Sequence, residues 1–167
     1  MSSPIPLYRE RQHSRQWWLL ALIGFIALLN CAIFVQQIIR NKPVGNNPMS
    51  DWGVVVTTVL LGLGLPALIL WLHMETVVYA DRLVVSVIPF SRRVIEPADI
   101  AHVTVRTVRP IREFGGWGVR GWGGNRAYLM EGNSGVSLKL INGHTLFLGS
   151  RRSDELAAAI ATMMGSR

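Results

Sequence analysis

The densest collection of side chains able to do chemistry lies between Arg109 and Asn125. These 17 residues hold Trp117 and Trp122, the guanidinium groups of Arg109, Arg112 and Arg120, and six glycines. Tryptophan offers a large apolar ring with one N–H, and arginine a planar cation that pairs with carboxylates and phosphates. Three roles fit that mixture. The rings could lie at a bilayer surface with the charges among the headgroups. The same groups could anchor a protein contact, since Trp and Arg dominate interface hot spots. Or the rings could fold back over the domain core while the glycines supply the bends. Gly116-x-Gly118-x-x-Gly121 has the spacing of a dinucleotide fingerprint, but no strand–helix–strand unit surrounds it, so nucleotide binding is not expected.

Two arginine doublets, Arg92-Arg93 and Arg151-Arg152, are further candidates for contact with a partner or with anionic lipid. A basic side chain close to such a lipid surface contributes about 1 kcal/mol. Groups suited to catalysis are sparse. The histidines, His13, His73, His102 and His144, are too far apart in sequence for metal-ligand spacing. Cys31 is the single cysteine, which excludes an internal disulfide and a cysteine-based zinc cluster. Asp154-Glu155 suit the first turn of a helix, and Ser150 and Ser153 have no discernible His–Asp partnership. No catalytic residue, cofactor site or metal site is therefore assigned, and the chain reads as non-enzymatic.

Hydropathy sets the frame that must position these groups. Only 16% of the 167 residues are charged, well under the roughly 25% of an average soluble domain. Trp17 to Ile39 and Gly53 to His73, 23 and 21 residues, contain no charged side chain beyond His73 at one end. About 20 apolar residues cross a bilayer as a helix, so two membrane helices are expected over 17–39 and 53–73. Trp17-Trp18, Trp52 and Trp71 sit where interfacial aromatic belts fall. A cleaved signal peptide is disfavoured, because the first run is too long and no small-residue cleavage site follows it. Pro66 should kink the second helix, with Thr57, Thr58 or a neighbouring helix satisfying the freed backbone group. Asn30, Gln36 and Gln37 read as helix–helix hydrogen bonds rather than a transport path.

Orientation follows from flanking charge. Arg9, Arg11 and Arg15 precede the first helix, and Arg82, Arg92 and Arg93 follow the second. The connector 40–52 has only Arg40 and Lys42. Both termini are therefore expected in the cytoplasm, with residues 1–16 a basic tail and 40–52 a short external loop.

From Met74 the pattern alternates. Strands are expected at Glu75–Ala80, Arg82–Ile88, Arg92–Glu96, Ala101–Val108, Arg126–Met130, Gly135–Leu140 and His144–Leu148. Asn142-Gly143 predicts a type I′ turn. Ser153 is placed as a helix N-cap, and Leu156, Ile160, Met163 and Met164 form one apolar stripe on the helix that follows. Seven short strands with regular turns point to a small barrel or sandwich closed by that helix. The domain, 74–167, carries 12 basic and 8 acidic side chains, too weak a bias for nucleic acid, and no stacking motif accompanies it.

Two membrane helices, seven strands and a capping helix resemble the bacterial pleckstrin-homology-like (PH-like) membrane proteins. Gly115-Gly116-Trp117-Gly118-Val119-Arg120, Ala127-Tyr128, Gly135-Val136-Ser137-Leu138 and Gly149-Ser150-Arg151-Arg152 carry the likeness. It implies a membrane α-hairpin with a mainly-β PH-like barrel of about seven strands in a bacterial inner membrane, and no reaction. Phosphoinositide-binding PH domains use several basic residues around a long first hairpin loop, whereas this chain has Ala80-Asp81 and the lone Arg82. The expected role is association with a protein partner or with further copies of the chain, with anionic lipid contact. The alternative is an accessory subunit of a membrane transporter or enzyme complex, docked through the hairpin.

Overall fold

The computed structural model describes residues 5–13, 16–122 and 124–165. It divides into two compact units, Arg15–Trp71 and a second made of Met1–Ser14 with Leu72–Arg167.

The first unit is a pair of helices, each long and apolar enough to cross a membrane: α1 (Trp17–Ile39) and α2 (Asp51–Trp71). α2 begins two residues before the expected start, because Ser50 Oγ accepts the Gly53 N–H at 3.2 Å and Asp51 complements the positive end of the helix. It ends two residues early, because His73 already belongs to a strand. Pro66 is accommodated by widening rather than by a threonine alone. Thr58–Gly64 is wound as a π-helix, and the Leu65 N–H reaches back five residues to the Leu60 carbonyl. Thr57 Oγ1 bonds the Gly53 carbonyl of its own helix at 3.0 Å, while Thr58 Oγ1 crosses to the Asn30 carbonyl at 3.5 Å. A Cβ on Gly62 would stand 3.6 Å from Asn30 Cβ and 3.7 Å from Cys31 Sγ, so the two helices approach closely at this glycine. Gln37 ties them, donating to the Met49 carbonyl at 2.6 Å and to Asp51 Oδ1 at 2.9 Å. Asn30 instead turns its amide onto the Ile26 carbonyl of its own helix.

The second unit contains two sheets. β1 (Tyr8–His13), β2 (His73–Val78), β3 (Leu83–Ile88) and β4 (Ser91–Ile95) form an antiparallel sheet in that order. β5 (Ile100–Thr107), β6 (Gly118–Trp122), β7 (Asn125–Leu129), β8 (Ser134–Leu140) and β9 (Thr145–Gly149) form the other, in the order β5-β8-β9-β7-β6. Among the described residues only the β7–β9 pair is parallel. All seven expected strands are present, and β1 and β6 are additional. The basic tail is thus partly a strand: Tyr8 pairs with Val78 and His13 with His73.

The expected barrel does not close. Ladder bonding stops at β1 and β4 in one sheet and at β5 and β6 in the other, and the chain changes sheet through a 3₁₀ turn at Pro97–Asp99. The core fills the space between two open sheets instead. Met74, Val78, Leu83 and Val85 from one side meet Tyr128, Val136, Leu138 and Leu148 from the other. The C-terminal helix α4 (Ser153–Gly165; α3 is Pro110–Phe114) adds Leu156, Ile160 and Met163 to the same core. Each such aliphatic side chain contributes about 1.5–3 kcal/mol by leaving water.

Two local expectations are corrected. The turn at Asn142-Gly143 is not type I′, which needs positive φ at both residues; Gly143 has φ +83° and Asn142 does not. The Gly143 N–H bonds the Leu140 carbonyl and the Asn142 side chain accepts the His144 N–H, making a three-residue loop. Ser153 does not act as an N-cap acceptor. It is the first helical residue, and its hydroxyl donates to the Ser150 carbonyl and meets Ser134 Oγ at 2.7 Å.

Candidate functional site

The glycine-rich segment 109–125 is ordered by its own short elements. Pro110 starts α3, whose Glu113 accepts the Arg109 backbone N–H at 2.8 Å and pairs with the Arg106 guanidinium. Gly115, at φ +73°, ends it, a left-handed position that glycine takes without strain. The chain then returns as β6 against β7. Trp117 is half-buried against a second apolar cluster of Val108, Ala127, Leu129 and Phe147, on the far face of the five-stranded sheet. Its indole N–H donates to the Gly132 carbonyl at 2.9 Å, and the Arg120 Nε donates to the Trp117 carbonyl at 3.2 Å. Of the three roles the composition allows, Trp117 therefore fills the covering one. Arg109, Arg112 and Arg120 remain exposed. The side chain of Trp122 lies outside the described residues.

The doublets behave differently from one another. Arg92 and Arg93 are consecutive strand residues, so they point to opposite faces of β4. Arg92 lies opposite Ser86 and is exposed; Arg93 lies opposite fully buried Val85 and is half-buried. Neither has a side-chain hydrogen bond or ion pair among the described residues. Arg151 and Arg152 are bound internally: Arg151 to Glu131, and Arg152 to Glu155 at 3.1 Å and to the Arg9 carbonyl at 2.9 Å. The Arg152 guanidinium also lies 4.9 Å from the centre of the Tyr8 ring. The ion pair with Glu131 pushes the already high Arg151 pKa further up. This doublet fastens the fold and offers little free charge.

What holds Arg151-Arg152 in place is a buried polar cluster that hydropathy does not mark. Glu10, 8% exposed, faces inward from β1. Its Oε2 accepts from the Tyr8 hydroxyl at 2.5 Å and from Ser150 Oγ at 2.6 Å, and its Oε1 accepts the Arg151 backbone N–H at 3.0 Å. Gln12, 2% exposed, donates to the Gly149 carbonyl at 2.9 Å. Burial, and then the hydrogen bond to Glu10, raise the Tyr8 phenol to about 12. The cluster ties the first strand to the junction of β9 and α4, in the opposite sheet.

Two surfaces stay open. β5 is an edge strand exposed or half-buried at seven of its eight residues, including Val105 at 40%. The outer face of the four-stranded sheet carries a cleft of about 670 Å³ lined by Glu75, Val84, Ser86, Phe90 and Arg92. Among the described residues no three His, Cys, Asp or Glu side chains gather where they could hold a metal ion. No family model and no curated protein matches this chain.

Proposed function

We propose that the chain is a non-enzymatic integral membrane protein whose β-unit, PH-like in kind, joins a second copy of the chain through the open edge of β5. The observation that carries this reading is the contrast among the sheet edges. Unpaired edge strands invite pairing with another chain, and proteins blunt them with charge, proline or irregular backbone. β1 has Arg9 and Arg11, β4 has Arg92 and Arg93, and β6 has Gly118 and Gly121. β5 reads Ile-Ala-His-Val-Thr-Val-Arg-Thr, and its one permanent charge, Arg106, is already paired with Glu113. A two-fold antiparallel pairing centred on Thr104 sets Arg106 opposite His102, so no two permanent charges face each other.

The bilayer setting is supported by the length and composition of α1 and α2. The hydrogen bonding of β1 to β2 brings the two flanks of the hairpin into one sheet, which supports their lying on one side of the membrane. The arginine count on those flanks, against Arg40 and Lys42 in the connector, favours the cytoplasmic side of a bacterial inner membrane. Docking through the hairpin as an accessory subunit would draw on its polar side chains, Asn30, Gln36 and Gln37. All three have partners within the hairpin, Gln36 through Arg40 at 3.5 Å, and so give it no support.

Native mass measurement of the full-length protein in mild detergent tests the proposal. A dimer is expected, and Thr104→Lys, which sets two ammonium groups beside the two-fold axis, should shift it to monomer with unchanged thermal stability. A monomeric parent protein, or a dimer indifferent to Thr104→Lys, overturns it.

A further inference from the structure

Phe90 is 67% exposed, in the tight turn between β3 and β4 where its N–H bonds the Val87 carbonyl. A single exposed aromatic is ordinary. The register around this one is not. His73 lies opposite both His13 and Ile88, so the Ile88–Phe90 turn sits at the same end of the sheet as the points where β1 and β2 leave it. Those points lead into the apolar helices. Only Leu72 separates the end of α2 from His73, about 7 Å of chain at most. Two rungs further in, Arg11, Glu75, Ser86 and Arg92 form a row across the outer face. Glu75 is engaged by Arg9 at 2.7 Å, which leaves the row with a surplus of positive charge beside the exposed ring.

We propose that this turn is a bilayer contact: Phe90 enters the headgroup–acyl boundary, and Arg92 and Arg11 meet anionic lipid phosphates. The end of the sheet that chain connectivity holds closest to the lipid is also the end that combines an exposed aromatic ring with uncompensated cations. Aromatic rings favour the interfacial layer, and guanidinium groups pair with phosphate through two N–H donors. The cleft between Phe90, Arg92, Ser86 and Glu75 gives a phosphate room to approach the row. The contact uses the sheet opposite the one that contains β5, so it stands independently of self-association.

The test uses the full chain with Cys31→Ser and Phe90→Cys, labelled with a fluorophore and reconstituted in nanodiscs. Discs contain either phosphatidylcholine alone or phosphatidylcholine with phosphatidylglycerol. Ile141, exposed in the β8–β9 turn, supplies the control through Ile141→Cys. Brominated lipids should quench the label at 90 and not at 141, while aqueous iodide does the reverse. Adding Arg92→Glu should lower lipid quenching in the anionic discs, by about fivefold in the docked-to-undocked ratio per unit of charge. Equal iodide quenching at both positions overturns the proposal. So does protection of position 90 from both quenchers, which would mean that protein covers the turn. Identical lipid quenching in the two disc types, unaffected by Arg92→Glu, overturns the anionic-lipid assignment.

Discussion

Glu10→Ala should release the first strand while leaving the second sheet folded. The wild-type side chain satisfies three donors at once: the Tyr8 and Ser150 hydroxyls and the Arg151 backbone N–H. Removing it does not strand all three. Tyr8 and Ser150 lie 3.0 Å apart and can bond each other. The Arg151 N–H is left without its acceptor, at about 1–3 kcal/mol, and one buried methylene is lost, at about 0.8 kcal/mol. The sum is roughly 2–4 kcal/mol, equivalent to about 30- to 700-fold faster opening of β1. Hydrogen exchange at the Tyr8–His13 amides reads that opening directly, with the β8 and β9 amides as an internal control. Glu10→Gln should cost less than half as much, because its amide oxygen can still accept from Arg151 and both hydroxyls can turn to accept from its amide. Unchanged β1 exchange in Glu10→Ala would refute the view that this cluster holds the strand. Equal costs for Ala and Gln would refute the hydrogen-bond accounting.

Alkaline pH probes the same cluster through Tyr8. The unfolded phenol ionises near 10 and the folded one at about 12, so the folded state keeps a proton that the unfolded chain gives up. Stability should be level below pH 10 and fall by about 1.4 kcal/mol per unit from 10 towards 12, and Tyr8→Phe, compared by chemical denaturation at pH 9 to 11, should lack that component of the slope. Trp117→Ala should cost roughly 2 kcal/mol in a thermal melt, half the usual loss for a fully buried tryptophan, with native mass unchanged. A mass change with intact stability would instead make Trp117 an interface anchor.

Where the sequence announced the fold, it did so through apolar periodicity. β3, β8, β9 and α4 all turn Val, Leu or Ile inward at strand or helix spacing, and each was legible for that reason. β1 was hidden because its inward residues are Tyr8, Glu10 and Gln12, and two of those three look like solvent-facing positions. The available signal was the alternation of basic side chain types at Arg9, Arg11 and His13, a period of two without hydrophobicity. β6 was hidden because two of its five residues are glycine, which weakens a strand signal, and because Trp117, just before it, packs on a cluster that includes Ala127 and Leu129 of β7. Closure was the other failure. Alternation tells a strand which face is buried, but not whether the two outermost strands will meet. The arginine doublets looked equivalent for a related reason: strand parity splits Arg92 from Arg93, while the partners of Arg151 and Arg152 come from elements far away in sequence.

The inserted hairpin gives the buried cluster a mechanical meaning. The chain leaves the first sheet at His13, runs through both apolar helices and re-enters at His73, directly opposite its point of departure. A pull on α1 reaches the β-unit through β1, an edge strand with a single ladder neighbour. An edge strand held by one ladder frays easily. β1 is also fixed across the core: Glu10 takes Ser150 and Arg151, Gln12 takes the Gly149 carbonyl, and Arg152 takes the Arg9 carbonyl. Force entering through α2 meets β2, which is already bonded on both sides. The polar residues are thus concentrated on the weaker of the two attachments, where an apolar strand would have been held by ladder and burial alone. This also explains why a fragment beginning at Met74 is the wrong soluble version of the domain. It would lack β1 and the start of β2, and leave Ser150 and the Gly149 carbonyl without the partners that close the two sheets at that corner.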